Sequence, residues 1–200
     1  MSGLLGLVLF ALSMSATPGP NNVMVTSSGA TYGFRRTLPH VLGISVGFPV
    51  MVLLVGLGLG SVFVAYPVVH KALKIVGVAY MLWLAARIAM AGRPEVNAAN
   101  GRARPLTFFE AAAFQWVNPK AWIIAVAAVA TYAGLAGNLW VETVMIAGVF
   151  MFVTLPAVSG WAMIGSGVGA VLSTDRQFRL FNGAMAALLV LSLIPMIWER

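Results

Sequence analysis

The chain has 200 residues, 60% of them hydrophobic and only 8% charged, with a mean hydropathy of +0.94, a balance outside that of soluble globular domains. Its formal charge of +7 comes from 12 basic residues scattered over short connections, without the basic face and interleaved aromatics of a nucleic-acid binder, so nucleic acid is not an expected partner. Cysteine is absent, which excludes disulfides, thiolate metal sites and thiol nucleophiles.

Apolar runs of about 20 residues match the roughly 30 Å hydrocarbon core at 1.5 Å of helix rise per residue, and the alternation of a transmembrane barrel strand is missing. The expected fold is therefore all-α: a polytopic membrane helix bundle with six transmembrane segments, embedded in the lipid bilayer as a single domain over 1–200. The first segment runs from Gly3 to Ser28. Ser13-Met14-Ser15-Ala16 resembles a signal cleavage site, but the amino terminus lacks Lys and Arg and the apolar run resumes beyond it, so the segment is read as retained. Inside it, Pro18 and Pro20 each remove a backbone donor and Gly19 loosens the chain between them. The helix must break there. Carbonyls freed at that depth cost several kcal/mol each when they face lipid, so they must line a polar cavity or be paired inside the bundle. Asn21 and Asn22 are placed to bond those carbonyls or a ligand; taken alone, the stretch is equally a proline kink with Asn capping the next half-helix.

The second segment is expected from His40 to Ala65 and the third from Val69 to Met90. His40, directly after Pro39, reads as an interfacial residue, with proton relay as the alternative role for its imidazole. His70 beside Lys71 reads as an outer loop residue. Ala91 to Thr107 is the longest polar stretch and the midpoint, dividing halves of about 1–92 and 105–200. The fourth segment, Phe108 to Tyr132, is interrupted by Gln115-Trp116-Val117-Asn118-Pro119-Lys120-Ala121. Lys120 lies about 18 Å by helical rise from the nearer end of its segment, at or beyond snorkelling reach. An ammonium at that depth faces an aqueous pathway or a partner in the bundle; its candidate ligand is a carboxylate, with Asn21, Asn22, Gln115 and Asn118 available to the other polar groups of an amino acid. Glu110, one turn into the same segment, reads as the partner of a nearby arginine, with a coupling role as the alternative. The fifth and sixth segments are expected from Glu142 to Val168 and from Leu180 to Trp198. The glycines at 43, 47, 56, 58 and 60 and at 165, 167 and 169 are read as helix-packing positions.

Arg35 and Arg36 fall in the first connection, Arg87, Arg93, Arg102 and Arg104 flank the third, and Arg176 and Arg179 fall in the fifth, against Lys71, Lys74 and Arg200 on the opposite side. The positive-inside rule puts the odd connections in the cytoplasm. Aligning Pro20 with Pro119 brings Thr31-Tyr32 near Thr131-Tyr132, the Gly43 and Gly47 helix onto the one around Gly148, and Lys74-Gly77 near Arg179-Gly183. Three segments per half is an odd number, so the halves are expected as two inverted three-helix repeats, whose broken helices meet at a mid-membrane site. No catalytic constellation, phosphate loop or metal-ligand cluster is visible, so an enzyme is not expected and neither a cofactor nor a metal is called for.

Thr17-Pro18-Gly19-Pro20-Asn21-Asn22, Gly33-Phe34-Arg35-Arg36 leading to Gly43-Ile44-Ser45-Val46-Gly47, and Asn118-Pro119-Lys120-Ala121 together resemble the LysE/RhtB family of bacterial amino-acid exporters, over nearly the whole chain. Within it, Ser27-Ser28 and Phe114-Gln115-Trp116-Val117-Asn118 look most like the cysteine/O-acetylserine exporter branch. The resemblance implies secondary active efflux of amino acids or close derivatives across the bacterial cytoplasmic membrane, driven by the proton motive force. The expected substrates are neutral, of cysteine/O-acetylserine or homoserine/threonine type. A basic amino-acid exporter and a non-transporting membrane scaffold are the alternatives, and the oligomeric state, homo-oligomer included, stays open. Carried over, the functional positions are Pro18, Gly19, Pro20, Asn21, Asn22, Asn118, Pro119 and Lys120. Phe48-Pro49 stands where family members often place an acid, and Pro39-His40 replaces small apolar residues.

Overall fold

A computed structural model describes residues 2–60, 65–91 and 104–194. Arg93, Arg102, Arg200 and most of the central connection lie outside the described residues, as does the side chain of His70. Among the described residues the chain is entirely helical: α1 Ser2–Ala16, α2 Pro20–Tyr32, α3 Phe34–Leu54 continued by a π-helical turn Val55–Leu59, α4 Pro67–Met90, α5 Phe108–Val117, α6 Pro119–Tyr132, α7 Leu139–Val171 and α8 Asp175–Leu191.

The two expected interruptions are helix breaks. α1 and α2 meet at 53° across Thr17–Gly19, and α5 gives way to α6 at Asn118, whose extended backbone (φ −90°, ψ 107°) is that of the residue before a proline. In both cases proline occupies the first turn of the half-helix that follows, where its missing N–H leaves no gap in the ladder. By length and composition α3 with its π turn, α4 and α7 are each sufficient to cross a membrane, and the bent α1–α2 pair makes a fourth.

Three helix starts differ from the sequence expectation by three residues or more, each for a local reason. α3 begins at Phe34 instead of at His40: Gly33, at φ 78°, turns the chain sharply out of α2, and the Thr37 hydroxyl donates to the Gly33 carbonyl at 2.9 Å, holding the first turn, so that Pro39 falls inside the helix. α7 begins at Leu139, because Asn138 Oδ1 accepts from the backbone N–H groups of Trp140 (3.0 Å) and Val141 (3.2 Å). α8 begins at Asp175 instead of Leu180 behind a capping box of Thr174 and Gln177, so Arg176 and Arg179 belong to its first turns and not to a connection.

α2, α3, α5 and α7 form the centre of the bundle, with apolar clusters on either side. One joins Leu7 and Ala11 to Phe48, Met51, Ala125 and Phe150; the other joins Val23 and Met24 to Met81, Phe114, Ala186 and Leu189. Phe150 meets Phe48 and Phe10 edge-on, with centroids 5.1 and 6.3 Å apart. Close approach depends on small residues. A methyl at Gly165 or Gly169 of α7 would overlap the Thr26 or Ala30 carbonyl of α2, and one at Gly43 or Gly47 of α3 would run into α5 at Phe108 to Ala112. Gly56 is equally tight against Thr143. Nothing lies within 4 Å of such a methyl at Gly58 or Gly167, and the nearest atom at Gly60 is 3.6 Å away, so the packing role expected of all eight glycines holds for five. Large side chains such as Phe109, Phe152 and Val171 remain exposed on the perimeter, as lipid-facing positions do.

Candidate functional site

The breaks of the two halves lie against each other. The Lys120 ammonium, in the first turn of α6, donates to the Thr17 carbonyl at 2.9 Å and to the Pro18 carbonyl at 3.3 Å. These oxygens are left without intrahelical partners where α1 stops, and a cation there meets the negative end of the α1 dipole. Gly19 is what lets the lysine in: a Cβ at that position would sit 2.8 Å from Lys120 Cδ and 2.9 Å from Nζ.

The amides divide the remaining work. Asn22, 4% exposed, donates through Nδ2 to the Ser15 and Thr17 carbonyls, both at 2.9 Å, and thus pairs the freed oxygens inside the bundle. Asn21 faces across the halves to Gln115. Its Nδ2 donates to Gln115 Oε1 at 2.8 Å and its Oδ1 accepts from Gln115 Nε2 at 3.1 Å, while Gln115 Nε2 also reaches the Ala111 carbonyl of its own helix at 2.9 Å. Asn118 is 2% exposed with no partner for Oδ1; its backbone carbonyl accepts from Ala121 and Trp122. A buried acceptor without a partner costs about 1–3 kcal/mol, so a ligand donor at this point would be stabilising.

Between the breaks is a cleft, open on one side, lined by Ser15, Gly19, Pro20, Asn21, Asn22, Asn118, Lys120 and Thr154 on its polar face and by Ile44, Phe48, Ile124, Phe150 and Val158 opposite. The amino ends of α2 and α6 both start at this cleft, and neither has a side-chain cap, so their peptide dipoles add partial positive charge beside the ammonium. None of the described residues lining the cleft is a carboxylate. The arrangement suits a small zwitterion with an apolar or mildly polar side chain.

Eight of the nine site residues singled out in the sequence come together here, Pro18 through its carbonyl; Gln115 joins them through Asn21 and Pro119 starts α6. Ser15 and Thr154, whose hydroxyls are 3.3 Å apart in the cleft, went unnoticed. The available signals were that Ser15 lies one turn before the break and that Thr154 lies two residues before the mid-helix Pro156. The two candidate coupling residues are elsewhere. Glu110 forms a two-point pair with Arg104 at 2.6 and 2.8 Å and closes the capping box of α5 with Thr107, so the nearby-arginine reading holds. The carboxylate in turn raises the already high Arg104 pKa. His40 is not at an exposed boundary: it is 1% exposed, with Nδ1 3.2 Å from the Ser28 hydroxyl and Nε2 without a partner. The reason is that α3 starts six residues earlier than expected, which carries position 40 into the contact with α2.

The family profile described as LysE type translocator matches residues 12–193. The chain is 35% identical over 123 residues to the cysteine/O-acetylserine efflux proteins of Salmonella choleraesuis and Salmonella typhimurium, and 34% identical over the same length to that of Escherichia coli K12. Each alignment covers 62% of this chain and 62% of the relative. No solved structure matches the chain. An all-helical bundle with helices long and apolar enough to cross a membrane is what an integral membrane translocator requires, and with the profile spanning nearly its whole length the chain belongs to the LysE type translocator family.

Proposed function

We propose that the chain is a secondary active exporter of neutral amino acids or close derivatives, driven by the proton motive force through alternating access across the bacterial inner membrane. The observation that carries this reading is the Lys120 ammonium of one broken helix resting on the Thr17 and Pro18 carbonyls of the other, in a cleft where two uncapped half-helices begin. A substrate carboxylate draws Lys120 away from those carbonyls, and the substrate ammonium replaces it on them, so binding exchanges one set of charge-assisted hydrogen bonds for another. Asn118 Oδ1 is available for a further donor. Loosening the clamp between the breaks as the ligand enters gives the ligand differential contacts in two conformations, which alternating access requires.

The six-span inverted arrangement is part of the proposal. It is supported by the pattern of packing: α3 lies against α7, α4 against α8, the α1–α2 pair against α7 and the α5–α6 pair against α3, each contact having its counterpart in the other half. Both broken helices also end at a Thr-Tyr pair, Thr31-Tyr32 and Thr131-Tyr132. The similarity to cysteine/O-acetylserine efflux proteins supports a cysteine or O-acetylserine type of substrate. A basic substrate is disfavoured by the lack of a carboxylate among the described lining residues.

Counterflow of a panel of labelled amino acids in proteoliposomes under an imposed pH gradient tests the reading. Small neutral amino acids are expected to exchange, and Lys120→Ala is expected to abolish exchange at normal protein levels. Normal exchange by that variant refutes the site, and no flux of any amino acid under any gradient favours a scaffold. Arg104→Cys, the single thiol in an otherwise cysteine-free chain, is expected to react only from the cytosolic side.

A further inference from the structure

A second, partly open cavity lies toward the other end of α2, bounded by α2, α3, α4 and the segment entering α5. Two buried polar atoms belonging to its lining residues are unpartnered: His40 Nε2, in a residue 1% exposed, and Thr31 Oγ1, in a residue 7% exposed. His40 Nδ1 is next to the Ser28 hydroxyl at 3.2 Å. With that hydroxyl donating to Nδ1, the neutral ring carries its proton on Nε2, a buried donor in a residue that lines the cavity. The charged lining groups are Arg87 and Arg104, and the neutral Tyr32 side chain lines the cavity beside them. Arg104 is occupied by Glu110, which is outside the lining, while Arg87 lies over the Trp83 ring at 5.1 Å and has no carboxylate partner among the described residues. Among the described residues, one cation without a carboxylate partner and the neutral donors of Thr31, Tyr32 and His40 fit a single carboxylate and leave a dianion undercompensated.

The two cavities share one helix. α2 lines the central cleft with Pro20, Asn21 and Asn22 and this cavity with Ser27, Ser28, Thr31 and Tyr32, and Ser27 is held from α8 by Asn182, which also bonds the Ala91 carbonyl at 2.7 Å. We propose that this cavity is a second binding site that takes the carboxylate of an amino-acid-sized ligand between Arg87, Thr31 and His40, one helix-length from Lys120. The proposal rests on the exporter reading for its physiological ligand, and places a loading station at the arginine-rich end of the bundle. The binding chemistry itself needs only a carboxylate.

The test uses the full chain in detergent micelles with histidine labelled at Cε1. The sequence has two histidines, so His70→Gln assigns the His40 resonance. Sodium acetate, L-alanine, sodium chloride and methylammonium chloride are titrated separately at constant ionic strength. Acetate and L-alanine are expected to move the His40 resonance saturably, chloride and methylammonium not at all. Acetate acting alone would also support the carboxylate site, while identifying free carboxylates and not zwitterions as its ligands. The response is expected to persist in Lys120→Ala and to need at least about tenfold more ligand in Arg87→Gln, which loses a charge-assisted contact. Thr31→Val gives a second, neutral check and is expected to weaken the response in the same direction. No response to acetate or L-alanine, an equal response to sodium chloride, or loss of the response in Lys120→Ala overturns the second site. Export by the unaltered chain would still stand in any of these cases, so the failure of this site and of the central one are distinguishable.

Discussion

Replacing Gly19 with alanine isolates the contact that brings the two breaks together. The backbone at 19 is fully extended (φ −174°, ψ −179°), a conformation open to any residue, so the substitution introduces no backbone strain. The new Cβ would lie 2.8 Å from Lys120 Cδ; ordinary contact starts at about 3.4 Å, so the lysine must retreat by roughly 0.6 Å. Its bond to the Thr17 carbonyl, 2.9 Å, and the longer one to Pro18, 3.3 Å, cannot both survive that shift. A hydrogen bond to a charged group contributes about 1.5–3 kcal/mol, so misplacing the ammonium is expected to slow counterflow by about tenfold to a hundredfold. Stability is expected to change by less than about 1 kcal/mol, because only the end of a flexible side chain has to move and the unfolded chain loses entropy with alanine. Thermal melting in detergent and counterflow from the same preparation are the two measurements. Wild-type counterflow by Gly19→Ala would falsify the clamp.

Asn22→Ala strands the Ser15 carbonyl and leaves the Thr17 carbonyl to Lys120 alone; an expected loss of about 1–3 kcal/mol should appear as a lowered melting temperature before any transport assay is run. At the α2–α7 contact, Gly165→Ala meets the Thr26 carbonyl and is expected to destabilise by about 1–3 kcal/mol, whereas Gly167→Ala, with open space around it, should be neutral or slightly stabilising. Equal melting shifts for the two would show that the contact is looser than described. Glu110→Gln keeps the capping geometry but loses the ion pair with a largely exposed Arg104, so export should stay within about twofold of wild type. Loss of proton-driven export with downhill exchange intact would instead give Glu110 the coupling role.

The positions of the helix breaks were legible because proline and glycine act on their own backbone: Pro20 and Pro119 start half-helices wherever the neighbours lie. Helix starts governed by side-chain caps were missed at Asn138 and Thr174, although Thr174 and Gln177 have the spacing of a capping box. Lys120 was marked by its depth alone. That its partners would be the Thr17 and Pro18 carbonyls, and that Asn21 would pair with Gln115 across 94 residues of chain, depends on which helices are neighbours, and pattern in one segment holds no record of that.

By itself the sequence determined that this is a bundle of apolar helices with a break in each half and a cation far from the ends of the second broken segment. Those properties follow from hydropathy and backbone chemistry residue by residue. Only the tertiary structure decided that the two breaks share one cleft, that Gly19 is the space Lys120 occupies, and that His40 lies inside the bundle facing a second cavity. Each of these is set by close packing between α2, α3 and α7, where small residues at Gly29, Gly165 and Gly169 fix how near the helices come and therefore which polar groups can meet.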